Sequence, residues 1–266
     1  MSGDVRPIGL FDSGLGGLTV VRALLDLVPE AGIVYFGDTG RFPYGPKPPD
    51  EVLKYSIQIA DVLVQRDVRM IVIACNSASA AALDHLRETL SVPVSGVIEP
   101  GLRAAKRVTR TGRVGVIGTV GTIASGAYQR AAAQIDTSLE LTCAACPGFV
   151  EFVEAGDVDS DQVHVLAERL LAPVKAADVD TLVLGCTHYP LLARTIADVM
   201  GPQVFLVSSA EETAFEVRAA LAGDASRRSV ADRVQFVTSG DVATFRRLGE
   251  RFCGPEVNAV EAWSWS

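Results

Sequence analysis

The stretch IVIACNS at residues 71–77 predicts a short apolar strand that ends at a thiol, Cys75. The stretch LVLGCTH at residues 182–188 repeats the pattern and ends at a second thiol, Cys186. In both places a hydrogen-bonding side chain follows the cysteine directly. Open parallel sheets bind ligands at the carboxyl ends of their strands. Two thiols at matching strand ends therefore predict one site with a sulfur on each of its faces.

Short apolar runs alternate with segments of helical periodicity along the chain. The predicted strands cover residues 8–12, 33–37, 70–74, 92–97, 114–117, 139–143, 181–184 and 234–237. The predicted helices cover residues 17–28, 51–65, 78–90, 125–135 and 161–172, with two more that begin after Pro190 and at Glu211. This alternation is typical of an α/β fold whose mainly parallel sheets are flanked by helices.

The second half of this pattern echoes the first. The segment IGLFDSG at residues 8–14 matches VGVIGTV at residues 114–120, and a similar interval separates the two cysteine strands. Such self-similarity indicates a repeated α/β unit. We therefore predict two similar, pseudo-symmetric lobes at residues 1–98 and 99–207, and a C-terminal segment at residues 208–266 that packs back on the first lobe. Small-molecule sites favour domain interfaces, so the active site is expected in the cleft between the lobes.

Composition and charge exclude several classes of protein. Of the 266 residues, 48% are hydrophobic and 21% are charged, which is typical of a soluble globular protein. The formal net charge of −8 argues against nucleic acid as a partner. The sequence shows neither a membrane-spanning apolar run nor a signal peptide. The five cysteines, an odd number, argue against a disulfide framework, so we expect free thiols in a reducing cytoplasm.

Two polar residues are predicted to lie beside the thiols. Asp12 ends the first strand and so belongs near the same rim as Cys75. His188 lies two residues after Cys186 and could accept or supply the proton of that thiol. Each group has a purely structural alternative: Asp12 could cap the helix after Gly17, His188 could open a helix, and free cysteines are often simply buried. The repetition of the pattern on two strands favours catalysis.

Two loops are predicted to hold a ligand. The loop at residues 41–49 could bind a carboxylate with its backbone N–H groups and the hydroxyl of Tyr44. The segment GTVGT at residues 118–122 adds hydroxyl and N–H donors at the head of the second lobe. The structural alternatives are a turn made rigid by proline in the first loop and a turn into a helix in the second.

Two other motifs favour different functions. The glycine loop at residues 14–17, followed by Asp38 at the end of the second strand, imitates a dinucleotide-binding fingerprint. Thr19 stands where the third glycine should fall, and no lysine lies nearby to offset phosphate charge. The spacing of Cys143 and Cys146 suits a redox or metal site, yet zinc would need two further ligands. We predict structural burial for these two cysteines, and we expect neither a metal ion nor another cofactor.

Several short motifs, all in one order, resemble the glutamate racemases, which belong to the cofactor-independent two-cysteine racemases of the aspartate/glutamate group. The motifs are DSGLGGL at residues 12–18, PYG at residues 43–45, ACNSA at residues 74–78, Gly118-Thr119 with Thr122, and GCTHYP at residues 185–190. The resemblance runs from about residue 7 to residue 240. One departure is Ser77, where many members of the family have threonine, and the hydroxyl is kept.

The resemblance implies a reaction and a role for each group. The reaction is the interconversion of L-glutamate and D-glutamate by two bases without a cofactor. Cys75, assisted by Asp12, would take the α-proton of D-glutamate, and Cys186, assisted by His188, that of L-glutamate. Glu154 resembles a further acidic helper. The substrate-binding positions that the resemblance implies are Asp12, Ser13, Pro43, Tyr44, Gly45, Asn76, Ser77, Thr119, Thr122, Thr187 and His188.

The resemblance also implies a biological setting and leaves two rivals to test. The setting is the cytoplasm of a bacterium, where the enzyme would supply D-glutamate for peptidoglycan, and a homodimer is expected because family members often pair. Closure of the two lobes, which expels water, would stabilise the carbanion. The rivals are an aspartate racemase of the same group and a non-catalytic nucleotide-binding module built on the glycine loop.

Overall fold

Two parallel sheets organise the part of the chain that the computed structural model describes, residues 4–221 and 234–265. Within those residues the first sheet contains β1 (Ile8–Asp12), β2 (Ile33–Gly37), β3 (Met70–Ile73), β4 (Val94–Gly96), β9 (Val234–Thr238) and β10 (Val260–Ala262), in the order β10-β9-β2-β1-β3-β4. The second sheet contains β5 (Arg113–Gly118), β6 (Glu140–Ala145), β7 (Thr181–Gly185) and β8 (Phe205–Ser208), in the order β6-β5-β7-β8.

Helices cover both sheets. They are α1 (Leu18–Leu27), α2 (Pro49–Gln65), α3 (Asn76–Thr89), α4 (Ile98–Val108), α5 (Val120–Ala124), α6 (Ala127–Ile135), α7 (Phe149–Ala155), α8 (Asp161–Ala176), α9 (Ala193–Met200), α10 (Ser209–Ala220) and α11 (Val242–Cys253), with a 3₁₀ turn at Tyr189–Leu192. Helix α2 packs against β1 and β2, and α3 packs against β3 and β4. Helix α4 packs against β7 and β8, and α8 packs against β5 and β6. We call the first sheet with its helices the first lobe, and the second sheet with its helices the second lobe.

The strand register brings the functional strand ends together. In the first lobe Phe11 of β1 pairs with Ile73 of β3, and in the second Gly118 of β5 pairs with Gly185 of β7. The chain therefore leaves β1 and β3 at one edge of the first sheet, and it leaves β5 and β7 at one edge of the second. Every residue of β1, β2 and β7 is buried, as parallel strands covered on both faces require. Both cysteines thus stand just beyond a rigid, buried strand.

The predicted fold class, an α/β fold with two lobes built on parallel sheets, is confirmed. The helix predicted over residues 125–135 is observed as α6 (Ala127–Ile135). Gly126 has a φ of +67° and separates α5 from α6, because glycine enters this left-handed region without steric cost. The sequence patterns missed β8, β10, α5 and α7, which are short, and they also missed the longer helices α4 and α11.

The chain beyond residue 208 contacts both lobes. Strand β9 pairs with β2 in the first sheet and β10 pairs with β9, while α10 packs against α1 and α4. The boundaries predicted near residues 98 and 207 stay a prediction; α4 begins at Ile98 and β8 spans Phe205–Ser208. In the described ranges, none of the helices combines the length and apolar character that crossing a bilayer requires.

Candidate active site

One cavity between the lobes is lined by both thiols. It holds about 690 Å³ of space free of protein atoms, its open mouth included. Cys75 is 6% exposed and Cys186 is 7% exposed, and all five cysteines of the chain are free. The two sheets therefore present one sulfur each to a single cavity.

The structure brings most of the predicted site residues to this cavity. Those that line it are Asp12, Ser13, Pro43, Tyr44, Gly45, Cys75, Asn76, Ser77, Thr119, Cys186, Thr187 and His188. Two predicted residues do not line the cavity but contact residues that do: Glu154 contacts His188, and Thr122 contacts Thr119. Phe42, Pro46 and Val120 also line the cavity and lie in the two segments predicted to hold a ligand, whereas the lining residues outside any predicted segment are Cys146, Pro147, Gly148, Val150 and Glu151.

Cys75 lies where a strand turns into a helix. It is the N-cap residue of α3, and its Sγ accepts a hydrogen bond from the N–H of Ala78 at 3.5 Å. It also contacts the Oγ of Ser13 at 3.8 Å. Burial, and after it the charge of Asp12, raise the pKa of the Cys75 thiol well above its ordinary value, which the Ala78 N–H only partly opposes. Cys75 is therefore a neutral thiol in the substrate-free protein.

Asp12 is anchored by the glycine loop and faces Cys75. Its carboxylate accepts hydrogen bonds from the N–H of Ser13, at 2.6 Å, and from the N–H of Gly17. Burial raises the pKa of Asp12, although His188 and the Gly17 N–H act in the opposite direction. The structural alternative, a cap for α1, holds in part, since the N-cap residue Gly17 donates to this carboxylate. A carboxyl with a raised pKa is also suited to take a proton from a neighbouring thiol.

The second thiol has a charged partner. His188, 3% exposed, lies with Nδ1 3.9 Å from the Sγ of Cys186 and Nε2 3.2 Å from Oε1 of Glu154. Burial alone would lower the pKa of His188, but the hydrogen bonds to Cys186 and Glu154 outweigh it and raise the pKa to about 10. His188 is therefore an imidazolium at neutral pH. A cation beside a thiol favours the thiolate.

A cluster of three hydroxyls joins the lobes at the cavity. The Oγ of Ser77 in the first lobe lies 3.0 Å from Oγ1 of Thr119 and 3.1 Å from Oγ1 of Thr122 in the second. The two threonine hydroxyls lie 3.0 Å apart, and the N–H of Gly121 donates to the carbonyl of Gly45 at 2.9 Å. These contacts hold the lobes together directly beside the thiols.

Asn76 presents an unused donor. Its Oδ1 accepts a hydrogen bond from the hydroxyl of Tyr128 at 2.9 Å, while its buried Nδ2 has no partner. A buried amide without a partner is costly unless a ligand or water satisfies it. Tyr128, 1% exposed, was missed by the sequence analysis because it lies in α6 outside any motif. The unpaired amide points to a carboxylate-binding function for this part of the wall.

The expectation for the Tyr44 hydroxyl needs correction. Tyr44 lines the cavity, but its hydroxyl donates a hydrogen bond to Asp38. Burial and the adjacent Asp38 carboxylate raise the pKa of Tyr44, so it remains the donor. Its proton is therefore already used and is not free to hold a substrate carboxylate.

The remaining motifs take structural positions. Cys146 is 1% exposed and lines the cavity, and burial raises its pKa to about 12, so it is a neutral thiol. Cys143 is half-buried in β6. Within residues 4–221 and 234–265, no three potential metal ligands of the His, Cys, Asp or Glu types come together. The N–H of Gly17 in the glycine loop donates to Asp12, an arrangement unlike a free phosphate cradle.

Three comparisons with known proteins point in one direction. A family model described as Asp/Glu/hydantoin racemase matches residues 16–216, a range that contains both cysteine strands. A glutamate racemase of Parafrankia sp. is 53% identical over 98% of this chain and 94% of its own length.

Solved structures of similar fold include two glutamate racemases. A glutamate racemase of Bacillus anthracis superposes with a TM-score of 0.90 at 40% identity, covering 98% of this chain and 97% of that one. A glutamate racemase of Francisella tularensis, solved in complex with D-glutamate, superposes with a TM-score of 0.91 at 33% identity, covering 98% of each chain. The similarity therefore extends over nearly the full length of the molecule.

Proposed function

This chain belongs to the Asp/Glu/hydantoin racemase family, and we propose that it interconverts L-glutamate and D-glutamate by moving the α-proton between two cysteines. The observation that carries the two-cysteine mechanism is the pair of thiols from matching strand ends that line one cavity, with Asp12 beside Cys75 and His188 beside Cys186. The glutamate racemase activity itself follows from about 50% identity to named glutamate racemases over almost the whole chain.

In the direction from L-glutamate, Cys186 is the base. Its thiolate, paired with the imidazolium of His188, takes the proton from the α-carbon and leaves the electron pair there. The thiol of Cys75 then gives its proton to the opposite face of that carbon, which inverts it. The enzyme finishes with Cys186 as thiol and Cys75 as thiolate, the state that starts the reverse reaction, in which Asp12 assists Cys75.

The cavity wall supplies the donors that an amino acid with two carboxylates needs. We assign the α-carboxylate to the free amide of Asn76 and the hydroxyl cluster of Ser77, Thr119 and Thr122, with Ser13 and Thr187 nearby. Donors on that carboxylate stabilise the carbanion, because charge from the α-carbon is delocalised onto it. We assign the side-chain carboxylate to the backbone N–H groups of Tyr44 and Gly45, next to Pro43.

The experiment is proton NMR of L-glutamate with the purified protein in D2O, with no cofactor or metal added. Loss of the α-proton signal together with decay of optical rotation is the expected result. Exchange of the α-proton of aspartate and not of glutamate would show that the protein is an aspartate racemase instead. If neither amino acid exchanges its α-proton and calorimetry shows that the protein binds a dinucleotide, the nucleotide-binding alternative would be favoured and the proposal contradicted.

The setting of the activity is proposed with it. D-glutamate is a building block of bacterial peptidoglycan, so supply of cell-wall precursors is the proposed role. Five free thiols suit a reducing cytoplasm. A homodimer rests on the family resemblance alone, and light scattering of the purified protein tests it: a mass of one chain would contradict it.

Replacing Gly16 by alanine is expected to disable the second thiol's partner. A methyl group at this position would overlap Nδ1 of His188 and Oγ1 of Thr187. Because a displacement of about 1 Å at a reacting group costs about 100-fold, we expect kcat/KM to fall by about that factor. Polarimetry measures the loss, and circular dichroism verifies that the variant is folded. Wild-type activity in a folded variant would mean that His188 does not need its present position.

Replacing Tyr128 by phenylalanine is expected to weaken substrate binding. The ring keeps its packing, but Oδ1 of Asn76 loses its donor, so the amide can rotate away from the orientation that offers Nδ2 to a ligand. A single neutral hydrogen bond is worth about 1 kcal/mol, so we expect KM for glutamate to rise about fivefold with kcat less affected. Steady-state kinetics checks this, and an unchanged KM would show that the amide is held by other contacts.

A further inference from the structure

A buried carboxylate outside the proposed reaction gathers four donors from distant parts of the chain. Asp38 follows β2, is 0% exposed and has no part in the steps above. Its Oδ1 accepts from the Oγ of Ser239 at 2.6 Å and from the indole Nε1 of Trp265 at 3.0 Å, and its Oδ2 accepts from Nε of Arg41 at 2.7 Å and from the hydroxyl of Tyr44. A charge this deeply buried persists only when such donors satisfy it.

Trp265 contacts both partners of the buried ion pair. Besides its hydrogen bond to Asp38, its ring lies 3.9 Å from the guanidinium carbon of Arg41, which is sandwiched between Trp265 and the ring of Tyr55 at the same distance. The Trp265 ring also packs on Phe36 of β2, with centroids 5.4 Å apart. Stacking on two aromatic faces restricts where a guanidinium can move. Trp265 therefore fixes the carboxylate and the cation at once.

The Asp38–Arg41 ion pair lies at the start of the loop that forms one wall of the cavity. Arg41 precedes the run from Phe42 to Pro46, all of which lines the cavity, and Tyr44 shares Oδ2 of Asp38 with Arg41. Asp38 therefore holds this wall from behind, in addition to the hydrogen bond that the N–H of Gly121 donates to the carbonyl of Gly45. The donors on the other carboxylate oxygen come from residues about 200 positions further along the chain.

We propose that Trp265 is a positioning residue, which holds the cavity wall at residues 42–46 in its substrate-binding conformation through Asp38. The chain beyond α11, which carries no recognised motif, thereby acts on substrate affinity without touching substrate. The kinetic consequence rests on the proposed function, whereas the order of the wall does not. A residue that positions a binding wall and takes no part in proton transfer should affect KM and leave kcat almost unchanged.

The test replaces Trp265 by phenylalanine, which keeps a ring over Arg41 and removes the donor to Asp38. Trp263→Phe is the matched control, because Trp263 packs on Phe36 and Trp265 but its indole nitrogen has no hydrogen-bond partner. Loss of a hydrogen bond to a charged group is expected to raise KM for glutamate about tenfold, with kcat changed less than about twofold. Hydrogen exchange of the backbone amides in residues 41–47 should quicken in Trp265→Phe and stay at the wild-type rate in the control.

A second measurement leaves residue 265 intact. The chain contains two tryptophans, so Trp263→Phe leaves Trp265 as the single fluorescent reporter. Saturating glutamate should shift or quench its emission if the wall and Trp265 are coupled.

The outcomes separate the two proposals. The positioning function would be overturned if Trp265→Phe left both KM and the hydrogen exchange of residues 41–47 unchanged. It would also be overturned if the fluorescence of Trp265 did not change when glutamate binds. An equal rise in KM and equal falls in kcat and melting temperature in both tryptophan variants would overturn it too, because both rings would then act by general packing. If the wild-type protein fails to racemise glutamate, the proposed function falls, and hydrogen exchange still decides whether Trp265 orders the wall.

Discussion

Alanine at Cys75 or at Cys186 is expected to lower kcat/KM for racemisation by at least about 1,000-fold, because general acid and base groups each contribute about 100- to 10,000-fold. Both thiols are needed for either direction, one as base and the other as acid. The two enantiomers of free glutamate are equally stable, so kcat/KM must fall by the same factor from either side. Polarimetry started from L-glutamate and from D-glutamate measures this directly.

Alanine at Cys146 is the matched control. Cys146 is also a free, buried cysteine on the cavity wall, and its thiol is neutral. We expect this variant to keep most of the activity in both directions. Near-normal racemisation by Cys75→Ala or Cys186→Ala would show that the two-base assignment is wrong.

Isotope exchange in the same variants assigns each thiol to a face. A variant with one base left can remove the α-proton and return a solvent deuteron to the same face. Cys186→Ala is therefore expected to exchange the α-proton of D-glutamate slowly without inversion, and Cys75→Ala that of L-glutamate. The opposite preference would exchange the stereochemical roles given to the two cysteines.

The strand ends were predictable because buried parallel strands are recognisable from their sequence. Buried strands are continuous apolar runs, and β1, β2, β3 and β7 are found within one residue of their predicted ends. The residues that follow them were therefore expected at one edge of each sheet. The four residues that local sequence singled out, Asp12, Cys75, Cys186 and His188, all line one cavity.

Tertiary contacts within each lobe were not predictable in this way. Glu154 entered only through the family resemblance, since α7 is seven residues long and too short to show helical periodicity. The hydroxyl of Tyr44 was assigned to substrate because its partner, Asp38, is recognised only once both are folded. Asp38 in turn resembled part of a nucleotide fingerprint, and nothing local connects it to Trp265. These groups depend on tertiary contacts, which no periodic pattern records.

The pH dependence of a Glu154→Gln variant is the second large effect expected. His188 has a pKa of about 10, and its hydrogen bond to Glu154 is one of the two that raise the pKa against the effect of burial. Without the carboxylate the imidazolium loses its proton at lower pH, so the alkaline decline of kcat/KM should move to lower pH. The ammonium group of free glutamate also titrates in the alkaline range, so the shift between variant and wild type is the meaningful quantity. At neutral pH a loss of about 100-fold is expected as the thiolate's counter-charge weakens.

Stability measurements without substrate test the same charge independently. The pKa of His188 is raised above its ordinary value of 6.5, so its charged interactions stabilise the fold fully below about pH 6.5 and lose that effect as pH rises through about 10. Glu154→Gln should therefore unfold more easily than wild type by about 2 kcal/mol at pH 6, and the difference should vanish above pH 10. Glu151→Gln removes the same charge from an exposed position on α7 and should show no such dependence. A difference that stayed constant from pH 6 to pH 11 would mean that His188 is neutral, and Cys186 would then need another source for its thiolate.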